Sequence, residues 1–371
     1  MSFWRLLEIF MILFTLVSLV YLGLGFARFR FFEKRFKTKF QRVAVGLLIA
    51  LILMMTVVVL IGFMNAVICL FYLTLIGQLC DIGFNAVEKI RRQPFKTYYA
   101  GISALAIASL YLANGWYQAH HVYETHYQLQ SDKIVSDLRL VMFADAHIGT
   151  TFSGKKLEDY VLQMQKYNPD LVIFAGDFVD NDTKKQDFLD ALDALAKLKT
   201  TYGVYFVLGN HDISSNGEAL RGFSNKELIS EIERRKIKVL QDDIKLVDNQ
   251  FYLIGRKDAY EGRRGRIRQN MAELVSSLDK QKYIIVVDHQ PSDYENQTKE
   301  KVDLVLSGHT HGGQLFPFNY VSKWAGLNDK IYGHERLDKT DFIVTSGISD
   351  WRVKFKTGCK SEFVVVDIKK L

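Results

Sequence analysis

A chain of 371 residues, 49% hydrophobic and 24% charged, is too long for one small core and long enough for two architectural units. Its net charge of +7 is uneven: residues 1–120 hold 12 Lys/Arg against 4 Asp/Glu, a net of +8, whereas residues 121–371 hold 36 against 37, a net of −1. The C-terminal part therefore lacks the electrostatic footprint of a nucleic-acid binder, and Cys69, Cys80 and Cys359 suggest neither a disulfide framework nor a zinc-type spacing.

In chain order, residues 4–26 form an apolar run of about one bilayer's length, interrupted only by Arg5 and Glu8 near its start. Residues 43–80 contain no charge at all. As a single helix they would extend about 57 Å, nearly twice a hydrocarbon core of ~30 Å, so two helices joined by a turn near Gly62–Asn65 are expected. A fourth apolar run covers residues 97–119. Four membrane spans are the reading adopted, giving a membrane domain at 1–120 and a separate domain at 121–371, with three spans as the fallback.

The loops between runs carry the basic residues: Arg28, Arg30, Lys34, Arg35, Lys37, Lys39 and Arg42 in one, Lys89, Arg91, Arg92 and Lys96 in the other. Loops rich in Lys and Arg stay on the cytoplasmic side. A multi-pass protein of the cytoplasmic membrane follows, with membrane lipids as partners and everything after Ala119 extracytoplasmic. The alternative, a cleaved signal peptide at residues 1–26, lacks an A-x-A-like site.

Beyond the last run, residues 122–129 alternate partly and read as an entry strand. A repeated pattern then begins, each time a short apolar run followed by Asp, His or Asn. Residues 138–143 precede Asp145 and His147; 171–174 precede Asp177 and Asp180; 204–208 precede Asn210, His211 and Asp212. Residues 284–287 precede Asp288 and His289, and 304–306 precede His309 and His311. Runs rich in β-branched residues read as buried strands, and helical patterns at 155–167 and 184–199 lie between them. Strand–helix alternation with polar residues at the strands' C-terminal ends is the usual α/β placement of an active site.

The residue types fit the same conclusion. Asp and imidazole ligands without a competing thiolate suit Mn, Fe or Zn. Asp177 can bridge two ions, and His147, His289, His309 and His311 can complete both coordination shells. Two ions ~3.5–4 Å apart can clamp a phosphoryl group and generate hydroxide from bound water at neutral pH. Five of the nine histidines fall within these clusters.

The ordered set D-x-H, G-D-x-x-D, G-N-H-D, H and G-H-x-H resembles the calcineurin-like metallophosphoesterase family from about Val122 to the C-terminus. The resemblance implies a four-layer α/β/β/α sandwich, here preceded by the transmembrane helical region, and hydrolysis of phosphoester bonds. It implies that Asp145, His147, Asp177 and His311 hold one divalent ion and that Asp177, Asn210, His289 and His309 hold the second. It further implies that His211 contacts the phosphate and protonates the leaving oxygen, held by Asp180. Ala144 departs from the Ser often found before the first Asp, which puts a supporting hydrogen bond in doubt but not the ligands. The GHTHGGQ cluster, residues 345–349 and Arg352 resemble the membrane-associated bacterial phosphodiesterase branch, with Arg352 a candidate substrate contact.

The expected function is hydrolysis of a phosphodiester or pyrophosphate at the membrane surface, lipid-linked and nucleotide-linked substrates both being compatible. Two other readings are a metal-bound scaffold without turnover, against which the complete ligand set argues, and a nuclease, which the −1 balance disfavours. Arg263, Arg264, Arg266 and Arg268 read equally as a solvated helix start or a phosphate contact, and the aromatic stretch 315–324 as packing or as a segment meeting the membrane interface.

Overall fold

The computed structural model describes residues 3–263, 265, 267–324 and 326–371. Two compact units result, one of Met1–Trp116 with Arg352–Phe355, the other of Tyr117–Trp351 with Lys356–Leu371.

The first unit is helical: Phe3–Ala27, Lys39–Ile61 and Phe63–Arg91, with the helix Tyr99–His120 running on into the second unit. Thr38 starts the second helix with a capping box, its hydroxyl accepting the Gln41 amide while the Gln41 side chain accepts the Thr38 amide. The charge-free stretch breaks at Gly62, whose φ of 88° belongs to a region that side-chain-bearing residues avoid. Among the described residues, three helical stretches, Ile9–Ala27, Lys39–Ile61 and Phe63–Arg91, are long and apolar enough to cross a membrane. Tyr99–His120 is long enough but is not among them; Asn114, Gln118 and His120 dilute the apolarity of its last turns. The helix after Gly62 outruns its apolar run, carrying Asp81 and Glu88 to Arg91. Asp81 accepts from Arg28 at 3.0 Å and Tyr21 at 2.9 Å, so its charge is partnered within this unit.

Among its described residues the second unit contains twelve strands: β1 (Val122–Ser131), β2 (Leu138–Phe143), β3 (Leu171–Ala175), β4 (Gly203–Val207), β5 (Lys238–Leu240), β6 (Asp243–Val247), β7 (Phe251–Gly255), β8 (Tyr283–Val287), β9 (Leu304–Ser307), β10 (Gly333–Leu337), β11 (Thr340–Val344) and β12 (Ser361–Lys370). They form two six-stranded sheets ordered β1-β12-β2-β3-β4-β5 and β10-β11-β9-β8-β7-β6. The runs β2 to β5 and β7-β8-β9-β11 are parallel, whereas β2 is antiparallel to β12.

Successive side chains of a strand face opposite ways, so each buried strand feeds two cores. Val172 and Phe174 join Val141, Phe143, Val204 and Phe206 beneath the helices Leu157–Gln165, Lys185–Leu195 and Asn225–Arg234. Leu171, Ile173 and Ala175 face the other sheet and pack with Leu253, Ile285, Val287, Leu304 and Leu306. That second sheet turns Ile284, Val286, Val305 and Phe342 outward onto Met271, Leu274 and Tyr294 of its own helical layer. Helix, sheet, sheet, helix is therefore the layer order, as the motifs imply. Buried on both faces, the central strands read as unbroken apolar runs.

Candidate metal centre

Backbone pairing extends past the strand ends and sets the turns that follow. After β2 and β3, Asp145 N–H donates to Gly176 O at 2.9 Å and His147 N–H to Asp177 O at 3.1 Å. After β8 and β9, Gly308 N–H donates to His289 O at 3.0 Å. The carboxylate of Asp212, wholly buried, accepts the backbone amides of Asp177, Phe178, Val179 and Gly209 at 2.8–3.1 Å, tying the turn after β3 to that after β4. The sequence pattern contained Asp212 without revealing this duty.

Five of these turn residues, Asp145, His147, Asp177, His309 and His311, have φ between 37° and 69°. Left-handed backbone is unfavourable for residues bearing a Cβ, at roughly 1 kcal/mol or more each, and persists where surrounding contacts over-determine it. Glycine is needed where turns nearly touch: a Cβ on Gly209 would lie 2.2 Å from Asp177 Oδ1.

Among the described residues, these turns bring the side chains into three trios with ligand atoms within 4.8 Å of one another: Asp145, His147 and His311; Asp177, His289 and His309; and His147, Asp180 and His211. Asp177 Oδ2 lies 3.1 Å from His289 Nε2 and 4.0 Å from His147 Nε2, so one carboxylate faces the first two trios. His311 Nε2 is 3.6 Å from Asp145 Oδ1. Asn210 lies beside the second trio, its Oδ1 3.4 Å from the amide nitrogen of Gln290, which follows His289.

The donor chemistry fits cations. His147 Nε2, His289 Nε2 and His311 Nδ1 are buried ring nitrogens without a hydrogen-bond partner, a costly arrangement unless another group binds them. His289 Nδ1 donates to Ala175 O at 2.7 Å, so Nε2, 3.1 Å from Asp177 Oδ2, is the nitrogen placed to face a cation. Burial opposes its protonation, but Asp177 prevails and holds His289 well above the usual histidine range, so a cation bound there would displace the Nε2 proton. Burial, helped by His147 and Lys356, pushes His311 well below the usual histidine range, keeping it neutral. Burial opposes ionisation of Asp177, yet His289, His211 and His147 outweigh it and hold its carboxyl well below the usual range.

The third trio differs because it ends at the surface. Asp180 Oδ1 lies 3.0 Å from His211 Nδ1, and Asp180 is itself fixed by its backbone N–H donating to Thr183 Oγ1 at 2.8 Å. Burial alone would lower His211, but Asp177 and the hydrogen bond to Asp180 prevail and hold the imidazolium up to about 9. The Trp351 ring lies 5.2 Å from the His211 ring.

Arg352 groups with the first unit, where its carbonyl oxygen accepts from Asn65 Nδ2 at 3.0 Å. Of the basic cluster, Arg264 and Arg266 lie outside the described residues, while Arg268 donates to the buried Asp288 at 2.6 Å alongside Arg256 at 3.0 Å. Arg268 is thereby committed to an internal ion-pair network. Sequence reading also passed over Asp258, three residues beyond β7. The same signal found at the other strands, an apolar run followed by a carboxylate, was available in residues 251–258.

Comparison with known proteins agrees with this geometry. Residues 138–313 match the model of the calcineurin-like phosphoesterase family. An uncharacterized metallophosphoesterase of Campylobacter jejuni is 30% identical over 63% of this chain and 59% of its own length, so the match spans only part of that relative. A Bacillus subtilis metallophosphoesterase is 27% identical over 75% of this chain and 97% of its own. A zebrafish (Danio rerio) protein named a transmembrane protein with metallophosphoesterase domain is 26% identical over 82% of this chain and 71% of its own. Residues 138–313 are thus identified as a calcineurin-like metallophosphoesterase domain within the longer chain.

Proposed function

We propose that this protein hydrolyses phosphodiester or pyrophosphate bonds at a membrane surface, using two divalent ions of the Mn, Fe or Zn class. The observation that carries the reading is the convergence of buried, unpartnered imidazole nitrogens and carboxylates from both sheets around Asp177. Asp145, His147, Asp177 and His311 would hold one ion; Asp177, Asn210, His289 and His309 the other. Two such ions supply hydroxide at neutral pH and charge stabilisation for the phosphoryl oxygens.

The chain's own residues do the rest. Asp180 occupies His211 Nδ1, so Nε2 is the nitrogen that delivers a proton to the leaving oxygen. The Asp177–His211 contact, backbone N–H to Oδ1 at 2.8 Å, keeps that acid in register with the shared carboxylate. Trp351 gives the leaving-group side an aromatic wall. Arg352 remains a candidate substrate contact from the neighbouring sequence.

Action at the membrane rests on the three apolar helices and on chain continuity: only His121 separates the helix Tyr99–His120 from β1. We take the chain to be a multi-pass protein of the cytoplasmic membrane with the catalytic unit outside, on the basic loops at 28–42 and 89–96. Phe316, Phe318, Tyr320 and Trp324, all exposed, follow the last ligand and suit a lipid or lipid-linked substrate. A long nucleic-acid substrate is disfavoured by the near-neutral C-terminal charge.

The test is turnover by the full chain in detergent with Mn, Fe or Zn, comparing bis-p-nitrophenyl phosphate, p-nitrophenyl phosphate and a lipid pyrophosphate. Diester or pyrophosphate hydrolysis well above the monoester supports the reading. Absence of turnover on all three with metal bound would leave the scaffold alternative standing instead.

A further inference from the structure

A metal-ligating asparagine poses a problem its aspartate and histidine neighbours do not. Its amide oxygen and nitrogen have nearly the same shape, yet only the oxygen can face a cation. Something beside Asn210 must distinguish the two ends.

The turns after β7 and β8 supply it. These strands are parallel neighbours with Gly255 opposite Val287, and Arg256 N–H donates to Val287 O at 3.0 Å, so the chain leaves both strands side by side. Asp258 and Gln290 meet there, 1% and 3% exposed. Asp258 Oδ1 accepts the Tyr260 backbone N–H at 2.7 Å and Gln290 Nε2 at 2.8 Å. Gln290 Nε2 lies 3.4 Å from Asn210 Oδ1.

The order of donors and acceptors then follows from Asp258. A backbone amide can only donate, so the oxygen it meets accepts, and the end of Gln290 that shares that oxygen must be its NH2. That group has two hydrogens; with one on Asp258, the second points to Asn210, and the atom receiving it must be an oxygen. An inverted Asn210 would set NH2 against NH2. The correct Asn210 oxygen has two lone pairs, one for Gln290 and one for a cation. Burial raises Asp258 to about 7; the ionised carboxylate, and a neutral carboxyl protonated on Oδ2, both leave Oδ1 an acceptor alone.

We propose that Asp258 and Gln290 are positioning residues that select the oxygen-inward orientation of Asn210 and so set the affinity of the ion held by Asp177, Asn210, His289 and His309. This rests on the two-metal reading above. Partners that orient a ligand in this way typically change metal affinity by about 10–100-fold.

The experiment is Mn2+ titration of the full metal-stripped chain in detergent, following free Mn2+ by electron paramagnetic resonance, with thermal unfolding measured in parallel. Wild type should bind two equivalents. Gln290→Leu should weaken one of them about tenfold or more and leave the other within about twofold. The affected equivalent should be the one that His309→Ala removes, so adding Gln290→Leu to His309→Ala should change nothing further. Asp258→Ala, which removes the accepting oxygen, carries the same expectation should Gln290→Leu not fold. Asp258→Asn, whose amide oxygen still accepts from Tyr260 and Gln290, should bind both ions as wild type does. Wild-type affinities in Gln290→Leu or in Asp258→Ala overturn the assignment while leaving two-metal catalysis intact. A wild type that binds fewer than two ions instead sinks the two-metal reading, and the inference with it.

Discussion

The two units use similar apolar residues in opposite ways. In the helices Phe3–Ala27 and Lys39–Ile61, Phe10, Val17, Ile52, Val59 and Leu60 point outward, more than half exposed, and the charge of Asp81 is partnered from within. In the second unit the strands bury Val, Ile, Leu and Phe on both faces, and the groups enclosed at their ends are Asp145, His147, Asp177 and His289. An exterior of hydrocarbon side chains suits lipid as solvent, whereas enclosed unpaired imidazoles are stable only if something charged joins them. The contrast teaches that buried polarity, more than buried apolarity, marks where chemistry occurs.

The strongest way to break that contrast is Asp177→Asn. It removes the carboxylate facing both trios and should abolish turnover and lower Mn2+ affinity, while circular dichroism keeps the α/β signature. A fully active variant would deny the buried cluster its role. Next in size is His211→Ala, expected to lower kcat about 100-fold or more with little change in KM. The loss should shrink for substrates with good leaving groups such as p-nitrophenolate, and an equal loss for poor and good leaving groups would remove His211 as the acid.

A third change probes the other unit. Leu53→Lys places a charge in the middle of the helix Lys39–Ile61, at an insertion cost of about 3 kcal/mol on translocon scales. The amount of protein in the membrane fraction should fall while the turnover of what remains, in detergent, stays unchanged; altered turnover per molecule would contradict the division of labour. The smallest effect concerns pH. In the metal-stripped chain the folded His211 value of about 9 exceeds the ordinary 6.5, so its contribution to stability is complete below pH 6.5 and is lost as pH rises through 9. Thermal unfolding of the stripped protein should drop across that window, and Asp180→Asn should flatten the drop.

Much of the site was legible because the parallel strands announce themselves twice, as unbroken apolar runs and as ligand types at their ends. The motif histidines and Asp145, Asp177, Asp180 and Asn210 all fall in such turns. Strands β5, β6, β7, β10, β11 and β12 are not assigned from the sequence. Of these, β5, β6 and β10 are short or sit at sheet edges with exposed residues, so their apolar signal is weak. Strands β7, β11 and β12 are largely buried but lie outside the ligand motifs that single out the other strands. The pairing of β12 between β1 and β2 joins residues over 220 positions apart, which no local pattern encodes. Asp258 and Gln290 escaped for a related reason: their meaning lies in a three-residue contact with Asn210 across both sheets, not in a spacing along the chain.

The central claim is tested most directly by electron paramagnetic resonance of the Mn2+-loaded full chain. A spin-coupled pair, with two Mn2+ per molecule and its coupling lost in Asp177→Asn, is the result this account requires. A single isolated Mn2+ signal, or protein that retains no transition ion after folding in its presence, would contradict it.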